Sequence, residues 1–294
     1  MSSSASASDA SYGVRSTVDR LARVMVRTPA TTGDWVGAGW RTPDTTLLLR
    51  QHDALVQLLT DLGCEVIVAP PIDGLVDAVY VYDSAFVVGH GAIVLRSPKP
   101  NRQDESEHAE LSLRAAGVPI IARLDGDVRA DGGDMFHLED GTLVVGRSYR
   151  TNAAAQHQIA AIVAAEHGDV ITVDMPHDRG PDYCLHLLSV VSPIHANLAV
   201  VYEPLSPVSL LDALRQRDVE WIAVDHDEYV TMATNVLAVR PGVVVMVDGS
   251  PRTRKALEGR GVDVHTFDGS ELCHKGDGGP TCLTRPLARV RSEV

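Results

Sequence analysis

The stretch AVYVYDSAFVVGHGAIVLR, residues 78–96, decides the fold. It reads as two apolar strands turning at Gly89-His90-Gly91, because apolar runs bounded by turn residues favour hairpins. The same pattern returns at 134–148 (DMFHLEDGTLVVGRS, turning at Asp140-Gly141), at 184–202 (CLHLLSVVSPIHANLAVVY, turning near Ala196-Asn197) and at 234–249 (TNVLAVRPGVVVMVDG, turning at Pro241-Gly242). Each hairpin precedes a helical stretch and then one more short strand: VPIIARL at 118–124, DVITVDM at 169–175, VEWIAVD at 219–225 and VDVHTFD at 262–268. The unit is strand, strand, helix, strand. It recurs with a period of roughly 50 residues, the mark of repeated supersecondary units.

The two ends read as a fifth copy that has been cut. RVMVRTP at 23–29 is a strand, a helix from about Asp44 to Leu62 sets Leu48, Leu55, Leu58, Leu59 and Leu62 on one face, and EVIVAPP at 65–71 is the closing strand. The missing first strand is expected from CLTRPL at 282–287, which closes five units into a ring. An open mixed α/β sheet of unrelated units is the alternative. Ser206-Pro207 and Ser250-Pro251 each set a capping serine before a first-turn proline, and Gly63, Gly117 and Gly261 stand where helices should end.

Composition narrows the class. With 26 basic and 39 acidic residues the net charge is −13, which argues against nucleic acid or an anionic membrane as partner and is compatible with a small cationic substrate. The four cysteines, Cys64, Cys184, Cys273 and Cys282, form neither a disulfide framework nor a CxxC pair. Residues 1–13 read as a disordered tail, without a secretory pattern, and 14–294 as one domain. No apolar run reaches membrane-spanning length, so a cytoplasmic protein, monomer or homodimer, is expected.

A closed ring brings the starts of all hairpins together. Those starts carry Asp83, the Asp131-Gly132-Gly133-Asp134 cluster, His186, Asn235 and, by closure, Cys282. Charged groups in apolar strands are costly unless paired. Their convergence offers a nucleophile, a base and an orienting carboxylate. Taken singly, Cys282 reads equally as a buried small hydrophobe, although the preceding Gly-Asp-Gly-Gly-Pro loop lets a thiol be exposed. His186 alone reads as a core histidine, and Asp131 and Asp134 as turn residues. Asp83, mid-strand in VYVYDSAFVV, needs a cation. Cys184 reads as core, Cys64 and Cys273 as structural or surface thiols.

These residues resemble the guanidino-group-modifying enzymes: dimethylarginine dimethylaminohydrolase, arginine deiminase and the amidinotransferases. DAVYVYDSAFVV, PNR at 100–102, DGGD at 131–134, RTN at 150–152, HLLS at 186–189 and GGPTCLT at 278–284 carry the resemblance, in order, from about residue 23 to 287. It implies an α/β fold, a pseudo-symmetric five-bladed propeller of ββαβ units, and a small cationic guanidino substrate. It further implies that Cys282 is the nucleophile, His186 the general acid and base, and Asp131 its orienting carboxylate. Asp83 is expected to grip the guanidinium and Asp77 to lie near the substrate α-amino group. Arg102 and Arg150 are expected to hold the α-carboxylate, and Asp277 to contact substrate through its backbone. TTGDWVGAGW at 31–40 falls where the family has a lid, with an ordinary flexible loop as the alternative.

Two departures bear on the substrate. Tyr82 stands where dimethylarginine hydrolases usually have Glu, and Leu188 where deiminases and amidinotransferases usually have Asp. The missing carboxylate favours a dimethylargininase-like hydrolase, giving citrulline through an S-alkylthiouronium on Cys282. An arginine deiminase or dihydrolase, an amidinotransferase, and a non-catalytic binding protein are the alternatives. The chemistry needs no cofactor, and the twelve histidines show no HxxxH or HExxH pattern, so no metal is expected.

Overall fold

The computed structural model describes residues 11–165 and 167–291. In chain order these form β1 (Arg20–Arg27), the short α1 (Trp35–Ala38), α2 (Thr45–Asp61) and β2 (Glu65–Ala69), followed by β3 (Ala85–Val88), β4 (Gly91–Val94), α3 (Glu105–Ala115) and β5 (Ile120–Arg123). Next come β6 (Met135–His137), β7 (Leu143–Arg147), α4 (Ala153–Ala165) and β8 (Val170–Asp174), then β9 (Val191–His195), β10 (Leu198–Val201), α5 (Val208–Arg215) and β11 (Glu220–Ala223). The chain ends with α6 (His226–Tyr229), β12 (Leu237–Arg240), β13 (Val243–Val247), α7 (Pro251–Glu258), β14 (Asp263–Phe267) and β15 (Arg285–Val290).

The strands make five three-stranded sheets, each an antiparallel hairpin with a third strand parallel to its second member. The cut copy is completed as expected. β15 runs antiparallel to β1, with Val24 opposite Pro286 and Met25 opposite Arg285, while β1 runs parallel to β2. The molecule is therefore a five-bladed α/β propeller. First strands of neighbouring blades touch around the axis, β9 on β12 and β15 on β3.

Burial follows the same plan. Both hairpin strands of the second blade, β3 and β4, are buried on both faces and so read as continuous apolar runs, whereas the closing strand β5 alternates exposed and half-buried. Helices cover the outside. On α2, Leu48, Leu55 and Leu59 are fully buried, and cutting one to alanine costs about 2–5 kcal/mol. Gly117 and Gly261 lie just past α3 and α7 with φ of 77° and 79°, which favours glycine at those stops.

Three expectations change. The first residues of the hairpin stretches are not strand: 3-10 turns at Val76–Val79, Gly132–Asp134 and Leu187–Ser189 precede β3, β6 and β9. Neither serine caps its helix through its side chain. Ser206 Oγ donates to the Tyr202 carbonyl, and the start of α7 is capped by Glu228, which accepts from the N–H groups of Arg252 at 2.7 Å and Thr253 at 2.8 Å. Of the tail expected over 1–13, residues 1–10 lie outside the described residues. Gly13 is bonded into the fold, donating to Leu287 O and accepting from Arg289 N.

Candidate active site

The turns that replace the expected strand starts carry the polar residues. A turn frees the backbone to aim a short carboxylate at the axis, and neighbouring glycines let the turns approach one another. A Cβ on Gly132 would sit 1.9 Å from Tyr82 O, and one on Gly133 would sit 2.3 Å from His186 Nδ1. The DGGD cluster thus brings Asp83, Asp131 and His186 together: one ligand-type atom from each lies within 4.8 Å of the others.

Asp131 is wholly buried, and its Oδ2 lies 3.3 Å from His186 Nε2 and 3.8 Å from Arg150 Nη1. Burial opposes its charge, yet His186, Arg102 and Arg150 together hold its pKa below the usual value. Asp83 accepts the Gly133 N–H on Oδ1 at 3.0 Å and Arg102 Nη1 on Oδ2 at 2.8 Å, and its Oδ1 lies 3.9 Å from His186 Nδ1. For His186, burial works against the imidazolium, but the Cys184 sulfur, Asp83 and Asp131 outweigh it and raise the pKa well above that of a free imidazole. The ring is built to hold a proton between two carboxylates.

Cys282 enters from the loop before β15, half-buried, with its carbonyl accepting the Tyr82 N–H at 3.2 Å. Asn235 Nδ2 donates to its sulfur at 3.1 Å. Burial and Asp83 push the thiol up to about 11, against the lowering pull of Asn235 and His186. A thiol in this setting rests protonated, and a cation arriving beside it would favour the thiolate. Asn235 carries a sequence signal, as the polar residue at the start of the fourth hairpin, but its residue type alone assigns it no role. The same holds for Asp134, which accepts from Leu187 N at 2.9 Å and Ser148 Oγ at 2.6 Å and so fixes the turn that carries His186.

Other expected residues are placed differently. Arg102 is buried, and its donors are committed to Asp83, both oxygens of Glu105, and the carbonyls of Asp77 and Tyr80. It stands behind Asp83 as a counter-charge and is not presented as a free carboxylate clamp. Arg150 keeps a buried Nε without a partner among the described residues. Asp77 accepts Trp40 Nε1 and Lys99 Nζ, each at 2.7 Å. Asp277 is exposed, with φ of 59° and its side chain paired to Arg41. Cys184 corrects the core reading: it is exposed, with its sulfur 3.5 Å from His186 Nε2, because the segment before His186 is loop and not strand. Cys64 and Cys273 are buried. Leu188 lies in the core with Tyr82 and Phe136.

The 31–40 segment is folded down. Trp40 is buried and stacks on Tyr80 with ring centroids 5.3 Å apart, Lys99 Nζ donates to Ala38 O at 2.5 Å, and Arg41 N donates to Lys275 O at 2.9 Å. One aromatic stack, the indole N–H of Trp40 on Asp77 and an ammonium therefore strap it to the rim that carries Asp77.

The trio of Asp83, Asp131 and His186 has the donor types of a metal site. Asp83 has both oxygens engaged, however, and Arg102 and Arg150 set positive charge beside the trio, which suits carboxylates that orient an imidazole better than ligands of a bare metal ion. Among the described residues no helix is long and apolar enough to cross a membrane.

The arginine deiminase family matches residues 68–220 and 207–289. The chain is 30% identical over 239 residues to the uncharacterized protein YkgA of Bacillus subtilis, covering 81% of this chain and 79% of that one. It is 27% identical over 245 residues to the N(G),N(G)-dimethylarginine dimethylaminohydrolase of Pseudomonas aeruginosa, covering 82% and 89%. It is 26% identical over 257 residues to the arginine deiminase of Listeria welshimeri, covering 74% of this chain but only 63% of that longer one. In fold it is similar to the Pseudomonas aeruginosa dimethylarginine hydrolase solved with citrulline, at a TM-score of 0.77 and 24% identity, covering 91% of this chain and 100% of the other. The N-terminal domain of ArgZ, a cyanobacterial arginine dihydrolase solved with product, gives a TM-score of 0.76 at 19% identity, covering 91% and 97%. By the span of the family match and by its five-bladed fold, this chain belongs to the arginine deiminase family of guanidino-group-modifying enzymes.

Proposed function

We propose that this protein hydrolyses the guanidino group of arginine or an N-methylated arginine, giving citrulline and ammonia or an amine. The observation that carries this reading is the convergence of Asp83, Asp131 and His186 within 4.8 Å, with the Cys282 thiol held by Asn235 on the same axis. A guanidinium is a poor electrophile because its charge is delocalised. Asp83 pairs with it and fixes its plane. The cation's charge favours ionisation of Cys282, whose thiol proton leaves to solvent, and the thiolate sulfur attacks the central carbon. His186, kept protonated by the Cys184 sulfur, Asp83 and Asp131, gives its proton to the departing nitrogen. The C–N bond breaks and an S-alkylthiouronium remains on Cys282. Neutral His186 then takes a proton from water, the hydroxide adds to the same carbon, and the C–S bond breaks as the adduct's hydroxyl proton passes to the departing sulfur, which restores the Cys282 thiol and releases the ureido product.

Arg150, with a buried Nε free, is the better placed of the two arginines to take a substrate carboxylate. Asp77 is the acceptor for the α-ammonium, in exchange for Lys99. Leu188 sits in the core, so what this chain lacks there is a carboxylate rather than what it has being a methyl pocket. That absence favours substituted guanidines over free arginine. A panel of arginine, monomethylarginine and dimethylarginine, read by citrulline formation and by ammonia or methylamine release, tests the proposal. Turnover of none of them by the wild type, or full activity of Cys282→Ser, ends it.

A further inference from the structure

Beneath the catalytic turns lies a second polar site that the proposed reaction does not use. A cavity of about 20 Å³ on the propeller axis is lined by His137, Thr281, Arg285 and Arg289, with Thr17, Tyr82 and Ser192 and otherwise apolar neighbours, and no carboxylate lines it. Arg285 and Arg289 are i and i+4 on β15, so they share one face of the strand. Both are more than nine-tenths buried, and neither has a carboxylate within ion-pair distance among the described residues. Arg285 donates to Tyr82 O at 2.7 Å and stacks 3.6 Å above the Tyr82 ring, and Arg289 donates to Ala238 O at 2.8 Å.

Unsatisfied donors gather among the residues around this cavity. Four buried polar atoms without a partner, Arg285 Nε, Arg289 Nε, Thr281 Oγ1 and His137 Nδ1, belong to residues lining this cavity, and each can donate a hydrogen bond. Two guanidiniums in one low-dielectric space repel each other, and burial lowers the pKa of each by more than Asp83 near Arg285 and Asp19 near Arg289 restore. Burial and the charges of Arg15 and Arg285 hold His137 down to about 3, so its neutral ring offers one N–H and adds no charge. We propose that this cavity is an anion site, and that its ligand is a single halide-sized anion such as chloride, taken up as the blades close around the axis. The volume admits one particle of about the size of a water molecule and is too small for phosphate or a carboxylate. A water molecule would satisfy some donors but add no negative charge between the two guanidiniums, whose nearest carboxylates, Asp83 and Asp19, lie beyond ion-pair distance and outside the cavity lining.

The site is separate from the reacting groups but borders them, since Tyr82 O, which accepts Arg285, also lies against Gly132. The test uses the full chain purified and crystallised with sodium bromide, and in parallel with sodium gluconate at equal ionic strength. Anomalous diffraction at the bromine edge is expected to show a peak in this cavity. In solution, the unfolding midpoint should rise with bromide or chloride at constant ionic strength, on the order of 3 °C per tenfold once above the dissociation constant. Arg289→Met should lose that dependence. Should that variant fail to fold, the wild-type anomalous map still decides. A bromide-grown crystal with no anomalous density in the cavity overturns the proposal, whatever the halide does to stability.

Discussion

Asn235 holds both sides of the candidate nucleophile: its Nδ2 donates to the Cys282 sulfur at 3.1 Å, and its Oδ1 accepts the Thr281 N–H at 3.0 Å. One amide thus orients the thiol and the loop that presents it. A hydrogen bond to a group that becomes charged contributes about 1.5–3 kcal/mol. Asn235→Ala is therefore expected to lower kcat by about ten- to a hundredfold while KM stays within about twofold. Steady-state citrulline formation measures both, and an unchanged kcat contradicts the role.

The pH dependence follows from the raised thiol. With Cys282 pushed up to about 11, the thiolate fraction grows about tenfold per pH unit below that value. Alkylation of Cys282 by iodoacetamide in the absence of substrate should accelerate continuously from pH 7 to 10. The folded pKa lies above the ordinary thiol value, so the stability this group contributes is intact below about 9 and is lost as pH rises toward 11. A labelling rate that is flat above pH 8 would mean that the thiolate is already formed.

Labelling order separates the two axial cysteines. Cys184 is exposed beside the His186 ring, whereas Cys282 is half-buried and protonated at rest. Peptide mapping after brief treatment at pH 7.5 should find Cys184 modified first. Cys282 appearing first would contradict the burial described for it.

Gly133 is the closest approach to the histidine. An added methyl would lie 2.3 Å from His186 Nδ1, so the ring must move. Gly133→Ala is expected to cost about 1–3 kcal/mol of stability and at least a hundredfold in kcat. Denaturant unfolding and turnover, measured on the same preparation, check the two separately, and near-normal kcat would show that the ring position is not critical.

The strap gives a different signature. Trp40→Phe removes the 2.7 Å bond to Asp77 but keeps most of the stacking on Tyr80. KM should rise about fivefold with kcat little changed, and amide exchange over residues 31–42 should quicken. Unchanged exchange would place the fastening elsewhere.

The sequence made the repeat legible because apolar runs, turn glycines and closing strands recur in every blade, and because CLTRPL stood at the right end to complete the cut copy. It misplaced the polar residues within that repeat. Apolar neighbours such as Tyr80, Val81 and Tyr82 are buried in a turn as thoroughly as they would be in a strand, so alternation could not tell the two apart. Asp83, Asp131, His186 and Cys282 were recognisable from residue type and position. The partners that define their chemistry were not, because Arg102 to Asp83, Asn235 to Cys282 and Cys184 to His186 are contacts of geometry. Leu188 shows the same limit: its residue type marks a missing carboxylate, but only the structure places it in the core.

The central claim is covalent chemistry at Cys282. The most direct test is mass spectrometry of enzyme acid-quenched during turnover of arginine or a methylated arginine, followed by peptide mapping. An adduct of substrate mass less the departing ammonia or amine is expected on the peptide that holds Cys282, and none in Cys282→Ser. Turnover with no adduct on that residue, or an adduct on Cys184 alone, would contradict it.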